Sequence, residues 1–310
     1  MVLEKKKVQI LLSTYNGEKY ISDQIESIIA QENVDVHILI RDDGSKDNTI
    51  NEIQTLIKKY PSKIELIRGK NVGFKKSFLE LCCKTSRTYD YYAFSDQDDF
   101  WLSRKIEVAI NYLSKNNNKL KLYASTVNIA DENLNFLYKK NISNFVNTLG
   151  STFTRGRLAG CTYVFNNGLL NVIRKFPYNK YSKTLISHDG LTMISCQALN
   201  GYIYIDNNSY ILHRRREGSV TSGGNGLKKR IKGELSMIFN HKKEKSVLAD
   251  YLLKNYSEKL STDNLELVTL ISNYSNSLKN HTKLLFDSRL NSGLKLANLE
   301  MKIKIITNML

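Results

Sequence analysis

Proline is scarce in this chain, with two residues among 310. Long disordered linkers usually need more proline, so its scarcity argues against them. No uninterrupted apolar run approaches the ~20 residues of a membrane-spanning helix. The first residues, Met1 to Lys7, also lack the apolar stretch of a signal peptide. These absences predict a cytoplasmic protein.

Cysteine is also rare, and its spacing is uninformative for metal binding. The adjacent pair Cys82-Cys83 falls in a predicted helix, where it suits neither a disulfide nor a zinc site, and Cys161 and Cys196 stand alone. We therefore expect reduced thiols that serve mainly as packing residues.

Negative charge is in deficit, because 46 Lys and Arg residues outnumber 30 Asp and Glu residues and give a net charge of +16. Such an excess of positive charge is typical of proteins that bind nucleic acid or an anionic membrane surface. Between Arg214 and Lys232 there are seven basic residues against one acid, Glu217. No RNA-binding signature or zinc finger accompanies them. A polyanionic small substrate or an anionic bilayer explains this cluster better than a nucleic-acid duplex, and a solvated basic face is the alternative.

What the chain does contain is a regular alternation of apolar patterns. A length of 310 residues suits one large α/β core with an appendage. Four β-rich segments alternate in the first 100 residues with three segments of helical periodicity, which predicts a doubly wound, mostly parallel sheet. The predicted strands are 8–13, 36–40, 64–67 and 91–94, and the predicted helices are 21–29, 50–60 and 75–84.

The pattern continues less clearly to about residue 225. We predict helices at 102–113, 168–175 and 190–200, strands at 120–128, 161–165 and 202–205, and a loop over the substrate region at 131–156. After Gly226 the alternation stops. The remaining residues carry 15 Lys and Arg against 8 Asp and Glu. They are predicted to form amphipathic helices, with apolar faces that include Leu235, Ile238, Phe239, Leu265, Val268, Leu270 and Ile271.

The most informative stretch is Tyr91 to Trp101, where a buried strand leads into three acids, Asp96, Asp98 and Asp99. Carboxylates this close repel one another unless a cation lies between them. In an open α/β sheet they would lie at the carboxyl end of the strand, where such sheets bind ligands. The sequence therefore suggests a Mn²⁺ or Mg²⁺ site for a phosphate-bearing substrate. A polar loop with solvated acids is the alternative interpretation.

Two further polar turns follow predicted strands, Thr14-Tyr15 and Asp42-Asp43. Because parallel strands end at one edge of the sheet, these turns and the acidic stretch are expected to share one pocket. Carboxylates there can accept hydrogen bonds from a base or a ribose, which suits a nucleoside diphosphate. No predicted strand is followed by GxGxxG or GxxxxGK[ST], so dinucleotide and P-loop sites lose their main support.

Taken together, these motifs resemble the bacterial family 2 glycosyltransferases, inverting enzymes of the GT-A fold, and among them the rhamnosyltransferase-like members. The resemblance extends over about residues 8–224. The matching segments are Leu12-Ser13-Thr14-Tyr15-Asn16-Gly17, Arg41-Asp42-Asp43-Gly44-Ser45-Lys46-Asp47, Asn71-Val72-Gly73-Phe74, Phe94-Ser95-Asp96-Gln97-Asp98-Asp99-Phe100-Trp101, Gly160-Cys161-Thr162 and His188-Asp189.

The resemblance implies a role for each matching residue. Thr14, Tyr15, Asp42 and Asp43 would hold the nucleoside. Asp96 would lie beside the ribose and the metal. The divalent cation, Mn²⁺ or Mg²⁺, would be ligated by Asp98.

The resemblance also makes Asp189 the candidate general base, at the start of a predicted helix. Deprotonation of the acceptor hydroxyl by one base allows a single displacement, which inverts the anomeric centre. Without the resemblance, an ordinary helix N-cap would be the preferred interpretation of Asp189.

One segment departs from the family pattern. Rhamnosyltransferase-like members usually continue with Tyr-Arg-Gln-His, whereas this chain has His213-Arg214-Arg215-Arg216. Either His213 becomes a metal ligand after a local shift, or Arg216 contacts the phosphate directly, as arginine does well. We assign Arg214 and Arg216 to the donor diphosphate and keep His213 as a candidate metal ligand. A histidine at a strand end with a structural partner is the alternative for His213.

These interpretations combine into one functional hypothesis. Residues 1–225 are predicted to be a GT-A catalytic domain, with a nucleotide-sugar half at 1–115 and an acceptor half at 116–225. The enzyme would transfer a sugar from dTDP-rhamnose or a UDP-sugar to a glycan or lipid-linked acceptor in cell-surface polysaccharide synthesis. Residues 226–310 would touch the inner face of the cell membrane or join two copies of the chain. The competing hypothesis is a basic module without catalysis that binds nucleic acid or membrane.

Overall fold

The computed structural model describes residues 5–181, 186–215 and 243–310. These residues form two compact units. The first contains residues 5–141, 158–175 and 201–215, and the second contains 142–157, 176–181, 186–200 and 243–310. The predicted domain boundary at 225/226 lies outside the described residues and stays a prediction.

The first unit is built on a seven-stranded sheet with the strand order β10-β6-β9-β4-β1-β2-β3. Its strands pair in parallel except β9, which runs antiparallel to both of its neighbours, β4 and β6. The strands are β1 (Lys6–Thr14), β2 (Val34–Asp42), β3 (Ile64–Arg68), β4 (Tyr91–Ser95), β6 (Lys121–Ser125), β9 (Val164–Asn166) and β10 (Tyr202–Asp206).

Apolar residues on both faces explain why β1 and β4 are central strands. All five residues of β4 are buried, and β1 is buried from Val8 to Leu12, as expected where helices cover both faces of a parallel sheet. The first unit contains the helices α1 (Ile21–Ile29), α2 (Thr49–Lys59), α3 (Phe74–Lys84), α4 (Lys105–Ser114) and α6 (Asn167–Ile173). The predicted alternation of strands and helices up to Trp101 is confirmed.

A second, four-stranded sheet completes the first unit, with the order β5-β11-β7-β8. Strand β11 pairs antiparallel with β5 and parallel with β7. This sheet brings the end of β11 beside the turn that follows β4. Its strands are β5 (Phe100–Trp101), β7 (Asn128–Ala130), β8 (Phe136–Lys139) and β11 (Ile211–Arg214).

Three predictions of local structure are wrong. The stretch 131–156, predicted as a loop, contains β8 and a short helix, α5 (Leu149–Thr154). Strand β8 is exposed along its whole length and therefore lacks the buried alternation that marks a strand. The strand predicted at 120–128 is two strands, β6 and β7. The strand predicted at 161–165 begins as a 3₁₀ turn, Gly160–Thr162.

The second unit is helical in its described residues. Besides α5 it contains α7 (His188–Ala198), α8 (Glu244–Tyr256), α9 (Thr262–Asn273), α10 (Leu278–Leu285) and α11 (Lys295–Ile306). The predicted apolar face of α9 is confirmed by the burial of Val268, Leu270 and Ile271. Leu235, Ile238 and Phe239 lie outside the described residues. No helix in the described part of the chain is long and apolar enough to cross a membrane.

Candidate active site

Gln97 joins two of the three polar turns at the carboxyl edge of the main sheet. Its Oε1 accepts hydrogen bonds from Thr14 Oγ1 and from the Tyr15 backbone N–H, both at 2.7 Å, and its Nε2 donates to the Tyr15 carbonyl at 3.2 Å. A Cβ at Gly17 would lie only 2.7 Å from Gln97 Oε1, so glycine leaves room for this bridge. The Tyr15 side chain stays 41% exposed. It therefore offers an aromatic face to a ligand, beside a fixed amide.

Asp42 and Asp43 are buried and bind donors within the protein. Asp42 Oδ2 accepts from the backbone N–H groups of Gly44 and Ser45 at 3.0 Å, which closes the turn after β2. Asp43 pairs with Arg41 at 2.6 Å. Both carboxylates therefore stabilise the backbone at the carboxyl edge of the sheet.

Asp43 also fixes a second segment that the sequence motifs singled out. Its carboxylate accepts from the backbone N–H groups of Val72 and Gly73 at 2.8 and 2.9 Å. Gly73 has φ +82°, which glycine adopts without strain. This contact ties the loop before α3 to the end of β2.

Asp96 and Asp98 occupy the turn after β4 and are half-buried. The main chain of this turn is held from two sides. Ser95 Oγ donates to the Asp96 carbonyl at 2.9 Å, and Arg214 Nε donates to the Asp98 carbonyl at 3.0 Å. The two carboxylates thus stand on a fixed backbone at the edge that carries Thr14 and Tyr15.

Arg214 is buried, and its guanidinium is engaged within the first unit. Besides the Asp98 carbonyl it donates to the Glu132 carbonyl at 2.5 Å and to Asp23 Oδ2 at 3.1 Å, and it stacks over the Tyr20 ring at 4.6 Å. In this arrangement Arg214 supports the acidic turn from behind. Its contact with the donor diphosphate stays a prediction, and Arg216 lies outside the described residues.

His213 lies behind the acidic turn, beside the third acid. Its Nδ1 is 2.7 Å from Oδ1 of Asp99, which is fully buried. The pKa of His213 is raised to about 9, first by the charge of Asp99 and further by Asp96 and Asp98. Cys161 completes the group, since one ligand atom from each of Asp99, Cys161 and His213 lies within 4.8 Å of the others. In the sequence analysis Asp99 was one of three acids beside the expected divalent cation and Cys161 was a packing residue, and neither was paired with His213.

Lys105 is buried near this group. Its Nζ lies 3.6 Å from the centroid of the Trp101 ring. Burial lowers the pKa of Lys105 to about 7, against the opposing influence of Cys161 and Asp99. Sequence reasoning missed Lys105, because a lysine at the start of an amphipathic helix is usually exposed.

Asp189 belongs to the second unit, in the first turn of α7. The capping side chain of that helix is Ser187, which accepts from the Gly190 N–H, and Asp189 Oδ1 accepts from the same N–H at 2.8 Å. Asp189 is therefore within the helix and does not serve as its N-cap residue. The neighbouring His188 is buried, and burial lowers its pKa to about 4. It is thus neutral at physiological pH.

Comparison with known proteins decides the family. The family model for Glycosyl transferase family 2 matches residues 9–182, more than half of the chain. The chain belongs to glycosyl transferase family 2. It is also 32% identical over 253 residues to dTDP-rhamnosyl transferase RfbG of Shigella flexneri, covering 78% of this chain and 84% of that protein. The predicted family and its glycosyltransferase class are confirmed.

Two solved glycosyltransferases share the fold at low sequence identity. The structure of TarS residues 1–349 from S. aureus, in complex with UDP-GlcNAc, aligns with a TM-score of 0.53 at 16% identity, over 97% of this chain and 91% of that chain. The mannosyltransferase PcManGT from Pyrobaculum calidifontis, in complex with GDP-Man and Mn²⁺, aligns with a TM-score of 0.50 at 12% identity, over 99% and 88%. The predicted GT-A fold with helices at its C-terminus is confirmed.

Proposed function

We propose that this family 2 glycosyltransferase is inverting and metal-dependent, and that it takes its sugar from a nucleoside-diphosphate donor bound at the carboxyl edge of the main sheet. The observation that carries the proposal is the convergence of three strand ends there. Gln97 bridges Thr14 and Tyr15, and the same turn carries Asp96 and Asp98. Open α/β sheets bind ligands at this edge.

The residues at this edge fit a hard divalent cation. Asp96 and Asp98 present carboxylate oxygens, which Mn²⁺ and Mg²⁺ prefer to nitrogen or sulfur. When bound, such an ion neutralises charge on the diphosphate that leaves during sugar transfer. Asp98 is assigned to hold the ion and Asp96 to lie beside it and the ribose. Arg214 and Ser95 keep the backbone of both residues in place.

The nucleoside would lie against Tyr15, whose exposed ring offers a surface for stacking. Asp42 and Asp43 already accept hydrogen bonds from the protein, so their main contribution is to hold the turn after β2 and the loop before α3. A direct contact between Asp43 and a base would require the base to share an oxygen with these donors. We therefore assign recognition of the nucleoside first to Tyr15 and Gln97.

Asp189 is the proposed general base. It lies in the first turn of α7, where its Oδ1 accepts a hydrogen bond from the Gly190 N–H and its other oxygen, Oδ2, can face the acceptor. It would accept the proton of the acceptor hydroxyl while that oxygen attacks the anomeric carbon. One base and one displacement invert the anomeric centre.

The donor is proposed to be dTDP-rhamnose, with a UDP-sugar as the second choice. Support comes from the 32% identical relative, whose name specifies dTDP-rhamnosyl transfer. The acceptor is proposed to be a growing glycan or a lipid-linked oligosaccharide of the cell surface. Family membership removes the main reason for the competing hypothesis of a binding module without catalysis.

A lipid-linked acceptor calls for contact with the membrane, and α11 offers a suitable face. Leu296, Leu299 and Ile306 are 59%, 54% and 60% exposed and recur at helical spacing along one stripe. Lys295 and Lys302 are exposed along one side of this stripe. Glu300, the helix's acid, faces inward and pairs with Lys304 and Arg155. We propose that this face contacts anionic lipid at the inner surface of the membrane.

A thermal-shift experiment tests the proposed donor site. dTDP or UDP should raise the unfolding temperature in the presence of Mn²⁺, and EDTA should abolish the increase. At 100 times the dissociation constant the ligand stabilises by about 2.7 kcal/mol. If the nucleotide raised the unfolding temperature equally with Mn²⁺, without Mn²⁺ and with EDTA, metal-dependent binding would be excluded. The absence of any nucleotide effect would contradict the donor site itself.

A further inference from the structure

A buried group of three different ligand atoms lies behind the acidic turn. Asp99 offers a carboxylate oxygen, Cys161 a sulfur and His213 an imidazole nitrogen, all within 4.8 Å of one another. They come from the segment between β4 and β5, from the 3₁₀ turn Gly160–Thr162, and from β11. Three segments distant in sequence thus converge on one point inside the first unit.

Three buried atoms of this group, Asp99 Oδ1, Asp99 Oδ2 and His213 Nδ1, make no hydrogen bond of good geometry within the described structure. Asp99 is fully buried, and neither of its carboxylate oxygens receives a hydrogen bond. His213 Nδ1 lies 2.7 Å from Asp99 Oδ1, and the two form an ion pair when the imidazole is protonated. The other carboxylate oxygen, Oδ2, has no donor in the described part of the chain, which is unfavourable for a buried polar atom. A metal ion bound by all three residues would satisfy this oxygen and would take the place of the imidazole proton.

Lys105 is a second buried basic residue near the group, but it does not donate to Asp99. Its Nζ lies over the face of the Trp101 ring, and among the described residues it donates no hydrogen bond. The carboxylate of Asp99 therefore receives no hydrogen bond from Lys105. Lys105 contributes positive potential near the group without occupying the point where the three ligand atoms meet.

We propose that Asp99, Cys161 and His213 form a binding site for a transition-metal ion, with Zn²⁺ the best match. Thiolate and imidazole ligands select Zn²⁺ over Mg²⁺, and three protein ligands leave one tetrahedral position for water. Binding releases the Cys161 thiol proton and the His213 imidazolium proton to solvent, since a thiolate and a neutral imidazole are the ligands. The site is distinct from the ion assigned to Asp98. Its role is structural, because it ties the acidic turn to β11.

The test uses the full chain, purified in a phosphine reductant that keeps thiols reduced. After incubation with Zn²⁺ and removal of the excess, elemental analysis should find about one Zn²⁺ per chain. Replacement by Co²⁺ should produce a near-ultraviolet thiolate-to-cobalt charge-transfer band. Cys161→Ser should remove this band and weaken Zn²⁺ binding at least about tenfold. Cys83→Ser is the matched control, because the Cys83 thiol is exposed and should not contribute.

Two results would overturn the inference. The first is wild-type protein that retains no Zn²⁺ and gives no charge-transfer band, in which case the His213 imidazolium alone balances Asp99. The second is a band that survives in Cys161→Ser. Asp98→Ala separates this inference from the proposed function. It should keep the Co²⁺ band and lose the Mn²⁺-dependent stabilisation by nucleotide. If nucleotide with Mn²⁺ stabilises the wild type but the wild type binds no Zn²⁺, the zinc inference is wrong and the proposed donor site is unaffected.

Discussion

The carboxylates that follow β2 and β4 differ in what surrounds them, although the sequence presents them as similar acidic turns. Asp42 and Asp43 are buried against donors of the protein, Asp99 is buried beside His213, and Asp96 and Asp98 are half-buried at the edge. Sequence reasoning found these residues because acids after parallel strands point to one edge of a sheet. It could not predict which of them are buried and paired and which are half-buried at the edge, because burial and partners depend on contacts between segments distant in sequence.

Asp98→Ala should abolish sugar transfer and preserve the fold. The substitution removes a proposed metal ligand, whereas the Asp98 carbonyl that Arg214 holds is retained. We expect turnover to fall at least about 100-fold, equivalent to about 2.7 kcal/mol of transition-state stabilisation. Activity and thermal unfolding should be measured together. Asp250→Ala, which removes an exposed carboxylate of α8, is the control and should leave turnover unchanged. Full activity in Asp98→Ala would refute the metal assignment.

Asp189→Asn should separate donor binding from transfer. The amide keeps the size of the side chain but cannot accept the acceptor's proton, so turnover should fall by about 10²- to 10⁴-fold. The affinity for dTDP with Mn²⁺ should remain within about twofold of wild type, because no donor contact is assigned to this side chain. Calorimetric titration and a transfer assay measure the two quantities. An equal loss in both would mean that Asp189 binds the donor or supports the fold.

At the scale of secondary-structure elements, β11 connects the second sheet to the acidic turn. By resemblance the sequence assigned Arg214 to the diphosphate and His213 to the metal, but it could not reveal that Arg214 spans Asp98, Glu132 and Asp23. In contrast, β1 to β4 were predictable because each is rich in apolar residues and is bounded by turn residues. The elements that were missed, β8 and α5, are short, and the six residues of α5 include Gly150 and three threonine or serine residues, which are weak helix formers.

Arg214→Lys tests whether Arg214 is a support or a phosphate ligand. Lysine keeps the charge but cannot reach three acceptors in different directions, and the main-chain carbonyls of Asp98 and Glu132 would lose their donor. We expect the free energy of unfolding in urea to fall by about 2 kcal/mol. Arg104→Lys, at an exposed position paired with Glu107, should change it by less than about 0.5 kcal/mol. Unchanged stability together with weaker nucleotide binding would favour direct phosphate contact.

At the scale of the whole molecule, the net charge of +16 exceeds what a single diphosphate requires. The basic segment after Arg214 lies mostly outside the described residues. In the described helices, positive charge and exposed apolar side chains coincide on α11. Composition predicted the charge and the helices. It could not predict which face is exposed, because that depends on how α11 packs within the second unit.

Liposome flotation tests the proposed membrane face. The full chain should float with anionic vesicles at low salt and less at high salt, because lysine near an anionic surface contributes about 1 kcal/mol. The triple variant Leu296→Ser, Leu299→Ser, Ile306→Ser should float several-fold less. Leu137→Ser with Tyr138→Ser, on the exposed β8, is the matched control and should float like wild type.

The membrane proposal would be wrong if the triple variant floated as well as wild type at low salt. Size-exclusion chromatography of the same proteins tests the alternative, in which a second copy of the chain covers this face. A larger elution volume for the triple variant than for wild type would assign the exposed stripe of α11 to contact between two copies of the chain.

The central claim is that the carboxyl edge of the main sheet is a metal-dependent site for a nucleotide-sugar donor. It is tested most directly by release of nucleoside diphosphate from dTDP-rhamnose and from UDP-sugars by the purified protein. The proposed site predicts release with Mn²⁺, highest with dTDP-rhamnose, lost on addition of EDTA and restored by excess Mn²⁺. Release at an unchanged rate in EDTA, or in Asp98→Ala, would contradict it.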